Sequence, residues 1–214
     1  PFGGGEEIDV SPDGKRVDFA LREAGRIEPL STNLDIFVAP ADGSAPPLNL
    51  TPGNDGTDNL PTVSPDGRTL AYVAMARAGY EADRQVLMLR DQASGQVRAL
   101  TSGFDRSVGS IAWAPDGKSL LITAEDTMEH PIYRVDAATG AVARLTDKGN
   151  FGNVAVAANG AIYATMNSIL APDDLYRVGE GGKLAQLTSV NGKLLAELDP
   201  VSFDKYDFKC ANGD

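Results

Sequence analysis

The sequence of 214 residues contains few side chains of the kinds that carry out covalent catalysis. His130 is the only histidine and Cys210 is the only cysteine. A serine nucleophile needs a histidine base and a tight elbow such as Gly-x-Ser-x-Gly, and that motif is absent from the sequence. One histidine and one cysteine cannot build a zinc site without carboxylates. The sequence therefore offers no catalytic residue and no metal site, and we interpret His130 as an ordinary loop residue.

The most specific candidate for a binding site is the charged stretch that begins at Arg77 and contains Tyr80, Glu81, Asp83 and Arg84. An aromatic ring beside a carboxylate can receive a cationic group such as a peptide α-amine, and Arg84 can hold Asp83 or Glu81 in place. We therefore predict that Tyr80, Glu81, Asp83 and Arg84 bind substrate. The alternative is a solvated loop whose charges pair with neighbouring parts of the chain.

Two other polar stretches are weaker candidates. Residues 53–59 are rich in oxygen atoms that suit a cation, but such a run is more often a polar turn. Glu125 and Asp126 stand at the start of a later loop and resemble the first candidate in their charge. No glycine-rich phosphate loop follows a strand and opens a helix, so we expect no cofactor.

Composition narrows the classes of partner. The formal net charge is −11, from 19 basic and 30 acidic residues, so no basic patch is available to neutralise phosphates and nucleic acid is not expected as a partner. No stretch approaches the roughly 20 apolar residues that span a bilayer, so no membrane partner is expected. One cysteine does not decide the compartment, and cytoplasmic and periplasmic locations both stay open.

Internal repeats predict the elements that position these residues. Three Pro-Asp-Gly turns and one weaker Asn-Gly copy place turn glycines at positions 14, 67, 117 and 160. A second marker, Leu-Thr, places threonines at positions 51, 101, 146 and 188. Both series give one repeat in every 42 to 53 residues. Each repeat parses into four short alternating strands, which is typical of β-propeller blades.

We therefore predict an all-β fold, a β-propeller with four four-stranded antiparallel blades within residues 1–190. The predicted blades span about residues 6–51, 58–101, 108–146 and 152–188. In such meanders the loops after the second strand share one face with the connections between blades. Because the longest loops, 22–34 and 75–84, fall after second strands, we expect binding on that face. Residues 189–198 are read as one more strand or a short helix.

The repeated Ser-Pro-Asp-Gly-Lys/Arg turns and Leu-Thr strand ends resemble the WD40-type propellers of TolB-like proteins and of the prolyl oligopeptidase family (S9) of serine peptidases. Residues 2–5, 79–84, 124–126 and 131–135 are similar to the acylaminoacyl peptidase and dipeptidyl aminopeptidase branch. Residues 208–214 resemble the segment by which such propellers enter an α/β-hydrolase domain.

This resemblance implies that the parent protein is a bacterial-like serine peptidase acting on short peptides. The hydrolase domain with Ser, Asp and His is missing here, so no catalytic residue carries over. The four repeats would be the C-terminal half of a seven- or eight-bladed propeller, and residues 191–214 would be the exit segment. By the same resemblance, Glu81 matches the loop carboxylates that hold the substrate amine in dipeptidyl members.

Two functions follow as expectations. The first is a non-catalytic propeller that restricts and helps bind short peptides for the absent hydrolase domain; whether to class the chain as an enzyme stays open. The alternative is a TolB-like scaffold for protein partners. A complete four-bladed ring is a remote third reading. A partial ring leaves its end blades uncovered, so we expect pairing with the missing N-terminal blades or a homo-oligomer.

Overall fold

The computed structural model describes residues 7–23, 25–199 and 204–211, and these form four antiparallel sheets of four consecutive strands. The first sheet contains β1 (Ile8–Val10), β2 (Arg16–Leu21), β3 (Asp35–Pro40) and β4 (Leu48–Asn49). The second contains β5 (Asp58–Val63), β6 (Thr69–Ala74), β7 (Val86–Asp91) and β8 (Val97–Ala99). The third contains β9 (Ser110–Trp113), β10 (Ser119–Thr123), β11 (Ile132–Asp136) and β12 (Val142–Arg144). The fourth contains β13 (Asn150–Val156), β14 (Ile162–Ser168), β15 (Ala171–Val178) and β16 (Leu184–Gln186).

The sheets confirm the predicted all-β architecture of four-stranded antiparallel units. The helical elements of the described residues are short: 3-10 turns at Gly25–Leu30 and Glu180–Gly182, and the helix α1 at Gly192–Ala196. Helix α1 decides between the two readings of residues 189–198 in favour of a short helix. Within the described residues, no helix is long and apolar enough to cross a membrane. Residues 2–5 and 212–214, which carry part of the family resemblance, lie outside the described residues.

The fourth sheet departs from the strand lengths that the repeat predicts. Strands β14 and β15 extend toward each other until only Ile169 and Leu170 separate them. The register between them shifts after Met166, so a bulge takes up the irregularity. The loop after the second strand is therefore long in the first two sheets and reduced to a hairpin in the fourth.

The Pro-Asp-Gly turns owe their shape to local hydrogen bonds. In the first two copies the Ser11 and Ser64 hydroxyls donate to Asp13 and Asp66 at 2.7 and 2.6 Å. Each of these aspartates accepts a backbone N–H two residues further on. The glycine of each turn has a positive φ, for example +72° at Gly67, which a residue with a Cβ rarely adopts. These turns fix the hairpins between the first and second strands.

The Leu-Thr marker has a recurring structural role. In every sheet its threonine hydroxyl accepts the N–H of a residue of the third strand, at 2.9 to 3.0 Å. The donors are Ile36, Leu87, Ile132 and Leu175, and the acceptors are Thr51, Thr101, Thr146 and Thr188. In the same places the leucine N–H donates to the carbonyl of that donor residue. The pair therefore closes the outer strand onto its neighbour.

The hydrophobic core lies between the sheets, and neighbouring residues of one strand face different sheets. Leu70 and Tyr72 of β6 pack with the first sheet, whereas Ala71 and Val73 pack with the third. In the same way Leu121 of β10 packs against the fourth sheet, while its neighbours Leu120 and Ile122 pack against the second. Each middle sheet is thus covered on both faces, as propeller blades require.

The outer sheets differ because each has one uncovered side. Exposed large apolar side chains occur on their strands, with Ile8 and Val10 of β1 exposed by 56% and 50%. Leu175, on the face of the fourth sheet that points away from the third, is 38% exposed. By contrast, Leu87, Leu120 and other central residues of the middle sheets are fully buried. The ends of the stack therefore present apolar surface to a neighbour.

We predict that Thr101→Val destabilises the protein by about 1 to 3 kcal/mol, because it leaves the buried Leu87 N–H without an acceptor. Urea unfolding would show a lower midpoint at an unchanged m-value. The matched control is Thr101→Ser, which keeps the hydroxyl as an acceptor for the Leu87 N–H and removes only a methyl group. Equal losses in the two variants would contradict this account of the threonine.

Candidate functional site

The loop of residues 75–85, between β6 and β7, is attached to its neighbours at both ends. On one side the Gly79 N–H donates to the Thr32 hydroxyl of the first sheet's loop at 2.8 Å. On the other side the Arg84 guanidinium donates to the carbonyls of Ser102, at 3.0 Å, and Phe104 in the connection to the third sheet. The loop is therefore held on the predicted binding face by contacts with the elements on either side.

Asp83 closes the loop on itself. One carboxylate oxygen, Oδ2, accepts the backbone N–H groups of Ala76 and Arg77, each at 2.9 Å. Partial burial acts to raise the pKa of Asp83, but the backbone N–H donors, with Arg77 first among them, outweigh it and lower the pKa below its ordinary value. Asp83 is thus ionised at neutral pH and acts as the internal support of the loop.

Tyr80 and Glu81 are left at the tip. Two successive turns, in which Tyr80 N–H donates to the Arg77 carbonyl and Asp83 N–H to the Tyr80 carbonyl, place them there. Tyr80 is 44% exposed and Glu81 is also exposed. The Arg77 guanidinium lies 3.9 Å from the centroid of the Tyr80 ring. Among the described residues, Glu81 has no hydrogen-bond or ion-pair partner.

The four residues chosen from the sequence therefore lie together on one loop but in two different situations. Tyr80 and Glu81 are accessible to a ligand. Asp83 and Arg84 are engaged in holding the loop, and Arg84 donates to backbone carbonyls of the next connection rather than to Asp83 or Glu81. A substrate-binding role for the four remains a prediction.

A second charged cluster on this face surrounds Asp126. Its two carboxylate oxygens pair with Arg106, at 3.0 Å, and with Arg144, and the Tyr133 hydroxyl donates to it at 3.3 Å. The hydrogen bond from Arg106 is the main cause that lowers the pKa of Asp126. The Tyr133 ring meets Phe104 edge to face at 5.1 Å, which links this cluster to the anchor of Arg84. Asp126 is therefore paired.

Sequence reasoning singled out Asp126 but missed its two arginine partners. Arg106 lies in the connection before β9, and Arg144 ends β12. Both arginines lie at connections between sheets, which the repeat places on one face with the loop of Asp126. An arginine at each of these connections was the only sequence signal that could have pointed to them as partners of Asp126. No spacing rule links either of them to Asp126, because they are separated from it by 20 and 18 residues.

The polar stretch 53–59 forms a hydrogen-bonded turn. The Asn54 side-chain amide donates to Asp58 Oδ1 at 2.9 Å and to the Met75 carbonyl at 3.0 Å. Burial raises the pKa of Asp58 to about 7, against the opposing hydrogen bond from Asn54. No group of three or more acidic, histidine or cysteine side chains suited to a metal occurs among the described residues.

His130 borders an open groove that runs past the first strands of the sheets. Residues of β1, β5, β9 and β13 line this groove, whose volume is about 630 Å³. The backbone of His130 pairs with Gly149 and Phe151, and a side chain at Gly109 would approach its Nε2 to 3.1 Å. Among the described residues no serine–histidine hydrogen bond is present. The groove is therefore lined mainly by residues of the first strands, and His130 at its border has no serine hydroxyl bonded to it among the described residues.

Comparison with known proteins gives relatives along the whole chain, although no protein-family model matches it. The chain is 33% identical over 216 residues to dipeptidyl-peptidase 5 of Porphyromonas gingivalis. That alignment covers 100% of this chain and 31% of the relative. The chain therefore spans less than a third of the length of this relative.

Solved structures give the same architecture. TolB from Acinetobacter baumannii superposes with a TM-score of 0.65 at 26% identity, over 83% of this chain and 42% of that chain. The beta-propeller domain of the Trilobed protease from Pyrococcus furiosus superposes with a TM-score of 0.63 at 15% identity, over 86% of this chain and 52% of that domain. The second likeness is one of fold alone. The predicted β-propeller fold, present as a partial ring, is confirmed.

We predict that Asp83→Ala loosens the loop, because the N–H groups of Ala76 and Arg77 lose their acceptor. Amide hydrogen exchange at these two positions should accelerate about tenfold, as expected for a lost charge-assisted bond. The matched control is Glu81→Ala on the same loop, which removes a carboxylate that bonds to no described residue and should leave both rates unchanged.

The wild-type loop should show the corresponding dependence on pH. Because the folded pKa of Asp83 lies below its ordinary 3.8, its stabilisation is complete above that value and is lost as the pH falls through the lower folded pKa. Fast amide exchange at Ala76 and Arg77 in the wild-type protein at neutral pH would contradict the role of Asp83. So would equal exchange rates in Asp83→Ala and Glu81→Ala.

Proposed function

Because the chain is homologous along its length to the propeller portion of prolyl oligopeptidase family (S9) peptidases, we propose that it restricts and helps bind short peptides for a separate hydrolase domain. The observation that carries the proposal is the 33% identity to dipeptidyl-peptidase 5 across the whole chain. In the proposed parent, residues 191–214 lead toward the hydrolase domain, and further blades precede residue 6. Catalysis belongs to the other domain, since this sequence holds no nucleophile elbow.

An enzyme that removes dipeptides has to recognise a free α-amine at a fixed distance from the bond that it cleaves. A carboxylate on a rigid support suits that task, because position as well as charge must be reproducible. Glu81 meets both conditions: its side chain is exposed, and its loop is tied to Thr32 on one side and to Ser102 and Phe104 on the other. We assign Glu81 as the residue whose carboxylate binds the α-amine of the peptide.

Tyr80 supplies the second part of the proposed amine site. Its ring is 44% exposed and offers a π-face to a cation, as the position of Arg77 illustrates. Asp83 and Arg84 contribute by holding the backbone that carries Tyr80 and Glu81. The four residues thus form one unit with two binding side chains and two supporting side chains.

The proposed partners follow from the uncovered sheets. Ile8 and Val10 on one end and Leu175 on the other present apolar surface that neighbouring blades would cover. Preceding blades of the parent chain are the proposed neighbours. A second copy of this chain is the substitute when those blades are absent, which gives a homo-oligomer.

A scaffold for protein partners is the second candidate. It is favoured by the superposition on TolB, which reaches 26% identity over 83% of this chain. The two candidates differ in what they bind: the first requires selectivity for a free peptide amine, whereas the second requires a folded partner and no such selectivity.

We predict that the chain binds an unmodified dipeptide such as Ala-Ala more tightly than its N-acetylated form, and that Glu81→Gln weakens the unmodified dipeptide about tenfold. The expected loss corresponds to one charge-assisted contact. Isothermal titration calorimetry measures both. The matched control is Glu180→Gln, which removes the same charge next to β16 and should leave the affinity unchanged.

The same preparations should be tested on dipeptidyl chromogenic substrates beside the full-length parent. The parent should release the chromophore and the chain alone should not. Equal binding of the two dipeptides, or no effect of Glu81→Gln, would contradict the amine site and favour the scaffold. Hydrolysis by the purified chain would contradict the proposal that catalysis belongs to the separate hydrolase domain.

A further inference from the structure

The Arg77 guanidinium packs against the face of the Tyr80 ring. Its guanidinium carbon lies 3.9 Å from the ring centroid, which is a close cation–π contact. Both side chains are exposed, and they are separated by a single turn closed by the Tyr80 N–H and the Arg77 carbonyl. The backbone of Arg77 is fixed independently by Asp83, so the contact does not hold the loop together.

We infer that Arg77 is an internal competitor for the cationic group of a ligand at Tyr80, so that a peptide α-amine displaces the guanidinium when it binds. This inference rests on the proposed amine site. It adds a residue that sets the affinity and selectivity of the site and that the sequence reasoning had not assigned.

The competition has two physical sources. A guanidinium and an ammonium are attracted to the same face of an aromatic ring by its quadrupole, and one face cannot hold both. The positive charge of Arg77 also acts against a second cation that approaches Glu81, which follows Arg77 by four residues on the same loop. Arg84, the other cation of this loop, is directed to the carbonyls of Ser102 and Phe104 and leaves the ring to Arg77.

The strength of the contact sets the size of the effect. Exposed cation–π pairs are weak, so displacement of Arg77 should cost about two- to fivefold in affinity. That is small enough for a ligand to overcome and large enough to measure. Ligands without a cationic group do not need the ring face, so the contact between Arg77 and Tyr80 lowers their affinity less.

The test compares Arg77→Gln with Arg26→Gln by calorimetry of the unmodified dipeptide. Arg26 lies in the neighbouring 3-10 turn Gly25–Leu30 on the first sheet's long loop, so its substitution removes one positive charge without touching the Tyr80 ring. Arg77→Gln should tighten binding about two- to fivefold. Arg26→Gln should change it less. Equal changes in the two variants would reduce the effect to net charge and overturn the inference.

Tyr80→Leu, alone and combined with Arg77→Gln, completes a double-mutant cycle for the contact between Arg77 and Tyr80. With the ring removed, Arg77→Gln should no longer tighten binding beyond the Arg26→Gln control, because there is no face left to vacate. Persistent tightening in the Tyr80→Leu background would overturn the inference. The three substituted side chains, Arg77, Arg26 and Tyr80, are exposed, and urea unfolding checks that the variants stay folded.

Glu81→Gln separates the failure of this inference from the failure of the proposed function. If Glu81→Gln weakens the unmodified dipeptide but Arg77→Gln does not tighten it, the amine site stands and Arg77 is not a competitor. If neither substitution changes affinity, the amine site itself is contradicted, and the competitor with it.

Discussion

The packing of each sheet against the next is the constraint on which the rest of the structure depends. A four-stranded sheet in this chain has apolar side chains on both faces, as Leu70 and Ala71 illustrate for β6. Such a sheet is stable only between neighbours, so the sheets must stack in sequence order. The stack then brings loops of successive sheets side by side on one face, and it leaves apolar surface at its two ends.

Contacts between adjacent loops fix the backbone of the loop at residues 75–85. The loop that carries Glu81 has little core of its own, yet Thr32 on one side and the carbonyls of Ser102 and Phe104 on the other fix its backbone. Charged side chains divide accordingly: Asp83, Arg84 and Asp126 are bonded within the protein, whereas Glu81 is exposed and bonds to no described residue, and we propose it as the side chain that binds a ligand. Exposure together with a fixed backbone, rather than charge alone, distinguishes Glu81.

The sequence predicted the architecture because its signals are local. The Pro-Asp-Gly turns and the Leu-Thr pairs each act within one sheet, so their spacing was enough to count sheets and place most strands. The anchors of the loop at residues 75–85 could not be predicted. Arg84 donates to backbone carbonyls, and because every residue has one, the sequence does not mark which of them will accept. The hairpin at Ile169 and Leu170 was missed because a register shift after Met166 breaks the alternation that marks a strand.

Two-dimensional amide NMR of the wild-type chain, titrated with an unmodified dipeptide, tests the central claim most directly. The account predicts that shift changes concentrate in residues 76–84 and in their anchors at Thr32 and Ser102, with the N-acetylated dipeptide producing much smaller ones. Changes centred instead on the groove of β5, β9 and β13, or no changes at any concentration, would contradict it.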